Sequence, residues 1–330
     1  MIEHISRRAA LVGAAATTLL PLAVGSTHAA APLTGRQAPG WYRYKVGSFE
    51  VTVVTDGVNR FKMASDHVTN RPLADVSAGQ VAAYHDPNMM TTPYNPIVVN
   101  TGSRLVLIDT GGGDGAFKSS KGMAGQMMAN MAAAGFDPNA IDTVIVSHYH
   151  GDHINGLLDA SNGLAFPNAE IMAPTAEHKF FMDDGEMSRA PAGRMQTVFK
   201  NARRVLTPEV MKRIKLYDPG KEIVPGITAV ETNGHSWGHN SHIVASGNDK
   251  VFVQADVTHV PWLFARNPEW HAFYDQDGPK AEATRRRIYD MLVADRTLVQ
   301  GFHYPFPGLA YIEKAGNGYR EIPLPWSPTI

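Results

Sequence analysis

Cysteine is absent from the 330 residues. Disulfides and thiolate ligands are therefore excluded, and any metal must be held by histidine and carboxylate. Charge of one sign is lacking too, since 30 basic and 31 acidic residues leave a net charge of −1. No basic surplus draws the chain to nucleic acid, and no acidic run forms a solvating tail. Beyond residue 31 no apolar run is long enough to span a bilayer. Internal repeats and Ser- or Pro-rich linkers are also missing, which argues against a string of separate domains. With 44% hydrophobic and 18% charged residues, the chain can bury a large core.

The first segment reads as an address. Ser6-Arg7-Arg8-Ala9-Ala10-Leu11 forms a twin-arginine pattern, and an Ala- and Leu-rich stretch follows to Val24. Ala29, Ala30 and Ala31 then offer small-residue cleavage sites. We expect residues 1–31 to be a twin-arginine signal peptide for a periplasmic or secreted protein, and 32–330 to be one domain. Removing Glu3, Arg7 and Arg8 moves the net charge from −1 to −2.

The remainder alternates strand-like and helix-like segments. Strands are expected at 42–45, 49–55, 97–100, 105–108, 143–146, 169–172, 227–231, 243–245, 251–254 and 298–302. Residues 101–104 between two of them read as a hairpin turn. Residues 105–108 are apolar throughout, as in a strand covered on both faces. Helices are expected over 122–134, ended by Gly135, and over 280–294. A polar, mostly helical stretch at 175–213, broken near Pro191 and Pro208, is placed as a cap. Polar residues gather where strands end, which favours a compact α/β sandwich.

The densest cluster of chemistry is Ser147-His148-Tyr149-His150-Gly151-Asp152-His153. Three imidazoles and a carboxylate within six residues suit zinc and similar divalent ions. Packing alone does not explain them, because a buried imidazole without a partner costs free energy. His-x-His-x-Asp-His after an apolar strand resembles the signature of the metallo-β-lactamase superfamily. His235 in a Gly-His-Ser-Trp-Gly-His loop, Asp256 at the end of an apolar strand and His303 before Tyr-Pro-Phe-Pro-Gly are similar to its remaining ligands. Asp109 resembles a supporting aspartate of the same superfamily.

The resemblance implies a four-layered αββα sandwich and two divalent ions, with zinc expected and cobalt, manganese or iron accepting the same donors. His148, His150 and His235 would hold one ion, Asp152, His153 and His303 the other, and Asp256 would bridge them. A hydroxide shared by two such ions is nucleophilic near neutral pH. The implied reaction is hydrolysis of a small apolar lactone, ester or phosphotriester. Asp152, Asp256 and His259 are candidate catalytic groups, and His259 could instead be a packing residue. The 303–308 and 316–320 segments are similar to the methyl parathion hydrolase and lactonase/arylesterase branch. The alternatives are a β-lactam hydrolase and a metal-binding protein without turnover. The resemblance also allows a homodimer.

Other histidines are read apart from the centre. His239 is expected to support the His235 loop. His67, His85, His178 and His242 are expected to be ordinary surface or core residues, and His271 is left open. The aromatic stretch 261–274 is expected to form either a pocket wall or a subunit contact.

Overall fold

The computed structural model describes Leu33, Gly35 and residues 37–330. The expected export signal at 1–31 lies outside the described residues. The first half of the domain forms β1 (Trp41–Val46), β2 (Phe49–Val54), β3 (Gly57–Lys62), β4 (Met89–Tyr94), β5 (Ile97–Asn100), β6 (Leu105–Ile108), β7 (Thr143–Ile145), β8 (Glu170–Pro174) and β9 (Ile214–Tyr217). The second half forms β10 (Glu222–Val224), β11 (Ile227–Glu231), β12 (Asn240–Ser246), β13 (Asp249–Ala255), β14 (Leu298–Gly301), β15 (Leu309–Ala315) and β16 (Gly318–Pro323). One sheet runs β1-β2-β5-β6-β7-β8-β9, the other β10 through β16 in order, and β3 and β4 pair apart as a hairpin.

Strand periodicity builds the layers. Val51 and Val53 of β2, Val99 of β5 and Val106 and Ile108 of β6 face the second sheet, where they meet Ile227, Val244, Val251 and Val253. Their neighbours Val54, Val98 and Leu107 point the other way, onto Met127, Met131, Phe181, Phe199 and Val205 of the outer helices. Successive strand residues face opposite sides, so both faces must be apolar when both are covered. The outer face of the second sheet packs Phe252, Val299 and Ile312 against Ile288, Tyr289 and Leu292 of the helix Gly278–Asp295. Helices, sheet, sheet and helix thus make the four layers expected. Each such side chain contributes roughly 1.5–3 kcal/mol on burial.

Parallel pairing positions the site. β6, β7, β8 and β9 run parallel, as do β13 and β14. Parallel neighbours need long crossovers, which here carry the helices. Asp109 follows β6, Ser147 to His153 follow β7, Asp256 follows β13 and His303 follows β14. Loops beyond the carboxyl ends of parallel strands are where α/β sheets bind ligands.

Two expectations are corrected in extent. The helix predicted over 122–134 spans only Met127–Ala133. Gly122 and Gly125 have φ of +85° and +75°, and the helix begins where Met127 N–H donates to Asp56 Oδ1 at 3.0 Å. Asp56 also accepts from Gly112 N–H and Gly125 N–H, and its burial lifts its pKa to about 6. The 261–274 stretch contains a short helix, Pro261–Phe264. Its Trp262, Phe264 and Trp270 are buried with Met63, Val76 and Met90, so these rings form core within one chain. Only Phe273 and Tyr274 reach the site cavity.

Candidate metal centre

Asp109 organises the histidine motif. It sits at φ +60°, a left-handed conformation that costs an L-residue roughly 1–2 kcal/mol. From there Oδ1 accepts Ser147 N–H, and Oδ2 accepts both Ser147 Oγ–H and His153 Nδ1–H, each at 2.8 Å. The chain then turns into the short helix Gly151–Ile154. Asp152 and His153 therefore occupy successive helical positions and diverge by about 100°.

The hydrogen-bond partners select the imidazole tautomers. Pro93 O lies 2.8 Å from His303 Nδ1 and can only accept, so that nitrogen carries the proton. Asp275 Oδ1 takes the Nδ1 proton of His235 at 2.9 Å. Ser147 Oγ, already donating to Asp109, accepts from His148 Nδ1 at 3.0 Å. With Asp109 on His153, four rings thus turn Nε2 toward one another and hold Nδ1 on outer partners. His150 turns Nδ1 toward His235 Nε2 at 2.8 Å.

Asp256 lies among these nitrogens. Its Oδ1 is 3.1 Å from His153 Nε2, and its Oδ2 is 3.2 Å from both His235 and His303 Nε2 and 3.8 Å from His148 Nε2. Ala255 before it has φ +48°, and the pairing of β13 with β14 is irregular between Val253 and Ala255. Asp256 N–H donates to His239 Nε2 at 3.0 Å, and His239 Nδ1–H donates to Thr232 O. Both His239 nitrogens are thereby used. His239 thus braces the His235 loop at Thr232, as expected, and also holds the backbone of Asp256.

A metal is the missing partner that fits this arrangement. His150 Nε2, His153 Nε2 and Asp256 Oδ1 are buried without hydrogen bonds. His148, His150, His235 and Asp256 offer donor atoms within 4.8 Å of one another, as do Asp152, His153 and His303. Zinc with ligands at about 2.0–2.1 Å in a tetrahedron separates them by roughly 3.3 Å. The nitrogen and oxygen donors suit a divalent ion, and each group is bounded by Asp256. Burial holds His148, His150 and His235 well below the ordinary histidine range. Burial also pulls His153 down, but Asp256, Asp109 and Asp152 outweigh it and leave the ring well above that range. Asp256 is raised by burial, yet the His303, His153, His235 and His259 rings carry it well below the carboxylate range. Ion uptake would accordingly displace protons from the cluster.

Supporting residues of this centre carry no motif in the sequence. Asp275 is buried and also receives Ala272 N–H at 3.2 Å, with Arg285 Nη2 3.5 Å away. Arg285 is 1% exposed and donates to Val257 O, Pro268 O and Trp270 O. Glu177 joins the two histidine loops by accepting Tyr149 N–H, Ser236 Oγ–H and Gly238 N–H. Burial lifts its pKa to about 7 against those three donors. At Gly238 a Cβ would come within 2.1 Å of the Glu177 backbone, so glycine is required for this approach.

A cavity of about 200 Å³ opens onto the cluster. Asn59, Phe61, Thr92 and Tyr94 of the β3–β4 hairpin, Arg194 and Val198 of the helix Arg194–Val205, and Phe273 and Tyr274 form its walls. The 175–213 helices therefore do reach over the centre. His259 lies inside, with Nε2 3.1 Å from Asp256 Oδ2 and its ring 4.1 Å from that of Tyr274. A roomier groove of about 720 Å³ between β11 and the helix Gly278–Asp295 holds none of the seven candidate ligands. The remaining histidines stay apart. His178 bonds Tyr149 Oη, His242 bonds Tyr217 Oη, His85 stacks on Trp262, and His271 pairs with Glu282. His67 is buried among Phe61, Phe273 and Tyr274.

Fold and site together define a two-sheet α/β protein with a His/Asp cluster at the strand ends, suited to divalent metal. The profile of the Metallo-beta-lactamase superfamily matches residues 90–288, and the chain belongs to that superfamily. An N-acyl homoserine lactonase of Bacillus sp is 22% identical over 222 residues, covering 64% of this chain and 77% of its own. The N-acyl homoserine lactonase of Bacillus thuringiensis is 25% identical over 183 residues, covering 52% of this chain and 63% of its own. Among solved structures, AidC, described as a dizinc quorum-quenching lactonase, superposes with a TM-score of 0.80 at 25% identity, covering 87% of this chain and 98% of that one. The hydrolase AbOPH, also of the beta-lactamase superfamily, matches with a TM-score of 0.80 at 25% identity, over 88% of this chain and all of its own. The chain is a lactonase-like hydrolase of the superfamily.

Proposed function

We propose that this protein is an exported hydrolase of lactones and esters with apolar substituents, working through two divalent ions, zinc by preference. The observation that carries the reading is the convergence of histidine Nε2 atoms around Asp256 beneath a small aromatic cavity. His148, His150 and His235 would hold one ion, Asp152, His153 and His303 the second, with Asp256 between them. Ions held there supply a nucleophile from water near neutral pH and polarise the oxygen under attack.

The chain's own groups do the rest. Phe61, Phe273 and Tyr274 exclude bulk water and grip an apolar substituent. Burial keeps the phenols of Tyr94 and Tyr274 well above their usual pKa, so both remain neutral O–H groups on the cavity wall. Burial pulls the His259 pKa down to about 4, and the neutral ring can donate to Asp256 or to a substrate oxygen. The side chain of Asp152 is 24% exposed against 3% for Asp256. Asp152 is thus the carboxylate placed to pass a proton to the leaving oxygen.

The test is a rate panel on the protein lacking residues 1–31, at defined metal content. It compares an N-acyl homoserine lactone, dihydrocoumarin, an aryl ester, methyl paraoxon and nitrocefin. Fast lactone or ester turnover with slow nitrocefin cleavage is expected. Dominant methyl paraoxon turnover would move the activity to phosphotriesters, and dominant nitrocefin cleavage to β-lactams. Silence on all five with two ions bound would leave a metal-binding protein without turnover. Export is checked by N-terminal sequencing of the periplasmic fraction, expected to begin just after one of the alanines at 29–31.

A further inference from the structure

Among the described residues that wall the cavity over the metal cluster, the acidic and strongly basic side chains are Asp152, Asp256 and Arg194. The two carboxylates are candidate ligands, so bound ions would take up their charge. Arg194 is then the uncompensated charge on the wall. It opens the helix Arg194–Val205, and Gly193 before it turns the chain at φ +93°, a conformation glycine adopts without strain. The guanidinium lies 5.4 Å from the Phe273 ring centre and 5.8 Å from that of Tyr274. Two aromatic rings therefore hold the cation by its flank and leave its N–H groups for another partner.

The protein does not supply that partner. Among the described residues no carboxylate pairs with Arg194 and no acceptor takes its N–H groups. Loss of water lowers the pKa of the guanidinium, and Tyr274, Asp152 and Asp275 pull it back up. None of these three can serve it. Burial keeps Tyr274 a neutral phenol, Asp152 is a candidate ligand, and Asp275 is taken by His235 Nδ1–H, Ala272 N–H and Arg285. The other arginines of the cap are engaged. Arg189 pairs with Glu186, Arg203 with Asp184, and Arg204 donates to Asn155 and Asn201.

The cavity over the cluster, about 200 Å³, is smaller than the roughly 300–1,000 Å³ of pockets that enclose whole ligands. Part of a substrate must extend beyond it. Arg194 borders both this cavity and a second one of about 440 Å³, so it stands where the extending part would pass. Resting on the reading of the centre as a lactone and ester hydrolase, we propose that Arg194 is a specificity residue that binds an ionised carboxyl group carried by the substrate away from the bond to be cut. A planar guanidinium with five N–H donors matches the two oxygens of a carboxylate. The substrates so selected are half-esters of dicarboxylic acids and lactones with a carboxylate side arm, their apolar middle lying against Phe61 and Phe273.

The experiment compares the p-nitrophenyl monoester of adipic acid with its adipamate counterpart, in which a primary amide replaces the carboxylate, on the metal-loaded protein. Wild type is expected to prefer the charged ester about tenfold in kcat/KM, and the preference should shrink as salt is raised to about 0.5 M. In Arg194→Gln the ratio of the two kcat/KM values should fall about tenfold, carried by KM and no longer sensitive to salt, at unchanged metal content and melting temperature. Arg194→Lys keeps the charge without the fork and should retain about a third of the preference. An unchanged ratio in Arg194→Gln, or a wild-type preference that salt does not weaken, overturns the assignment. If neither ester is hydrolysed, calorimetry with adipate and adipamate reads the same site without turnover. A preference for adipate that is lost in Arg194→Gln then supports the carboxylate site while the hydrolase reading falls, and equal binding of the two overturns the carboxylate site.

Discussion

Asp275→Asn is the substitution with the sharpest consequence. Asp275 Oδ1 accepts the Nδ1 proton of His235 at 2.9 Å, between side chains 1% and 3% exposed. A charge-assisted bond of this kind contributes about 1.5–3 kcal/mol, or roughly 10- to 100-fold in affinity. Asparagine is isosteric but cannot satisfy every neighbour. Oδ2 faces two donors, Ala272 N–H at 3.2 Å and Arg285 Nη2 at 3.5 Å. The new carbonyl is better placed toward those two, which turns the NH2 group toward His235. His235 must then accept at Nδ1 and carry its proton on Nε2, where a metal needs a lone pair. The expected loss is about 100-fold in affinity for the ion on the His235 side, measured by chelator competition with metal counted per chain. Asp275→Ala imposes no tautomer and should lose less. The fold should hold in both, because Arg285 keeps the carbonyls of Val257, Pro268 and Trp270. Affinity within threefold of wild type in Asp275→Asn, or a larger loss in Asp275→Ala, would refute the tautomer argument.

Three further outcomes follow from the same geometry. His150→Ala and Asp256→Ala should each remove turnover by more than the roughly 10- to 100-fold that supporting residues command, while circular dichroism stays that of a folded protein; retained activity in both would sink the metal mechanism. His67 is buried with neither nitrogen bonded, and burial lowers its pKa from 6.5 to about 4. The unfolded chain therefore binds more protons between those values, and stability is lost as pH falls from 6.5 toward 4, by about 2 kcal/mol at pH 5. His67→Leu should gain roughly 4–8 °C in melting temperature over wild type on going from pH 8 to pH 5, and a difference independent of pH would contradict this. Ala255→Gly should relieve the φ of +48° and stabilise by about 0.5–1 kcal/mol, read as a rise of a few degrees in melting temperature; a fall would mean that the conformation is not strained.

The candidate ligands were legible in the sequence because metal chemistry demands rare residue types at short spacing. His148 to His153 are visible as a unit, whereas His235, Asp256 and His303 are far from it in sequence and were reached through the resemblance to the superfamily, at loop or strand ends. The strands were legible for a related reason, since double-sided burial leaves uninterrupted apolar runs such as Leu105–Ile108. What escaped notice acts at long range. Asp275 lies 40 residues from His235, Glu177 lies 28 from Tyr149 and 61 from Gly238, and none of these separations is a local pattern. The start of the helix at Met127, expected at 122, was misplaced because the group that accepts its first N–H is Asp56, 71 residues earlier. The aromatic density of 261–274 was equally ambiguous, because a buried Trp262 bonded to Gln80 and a cavity-facing Tyr274 are the same kind of residue in a sequence.

These distant contacts explain why two sheets are needed for one site. Each half of the chain brings parallel strands to the same rim, and at that rim each places a residue in left-handed backbone, Asp109 after β6 and Ala255 at the end of β13. Such conformations cost stability, roughly 1–2 kcal/mol each, and persist only where the surroundings over-determine them. Asp109 is held by Ser147 and His153, and Ala255 by the bond from Asp256 N–H to His239. The strained residues thus stand one bond from the candidate ligands they aim. Interlocking by Glu177 and by the Asp275–Arg285 pair ties the cap and the last long helix to the same loops. A change in either element should therefore be felt as altered metal affinity before it is felt as unfolding.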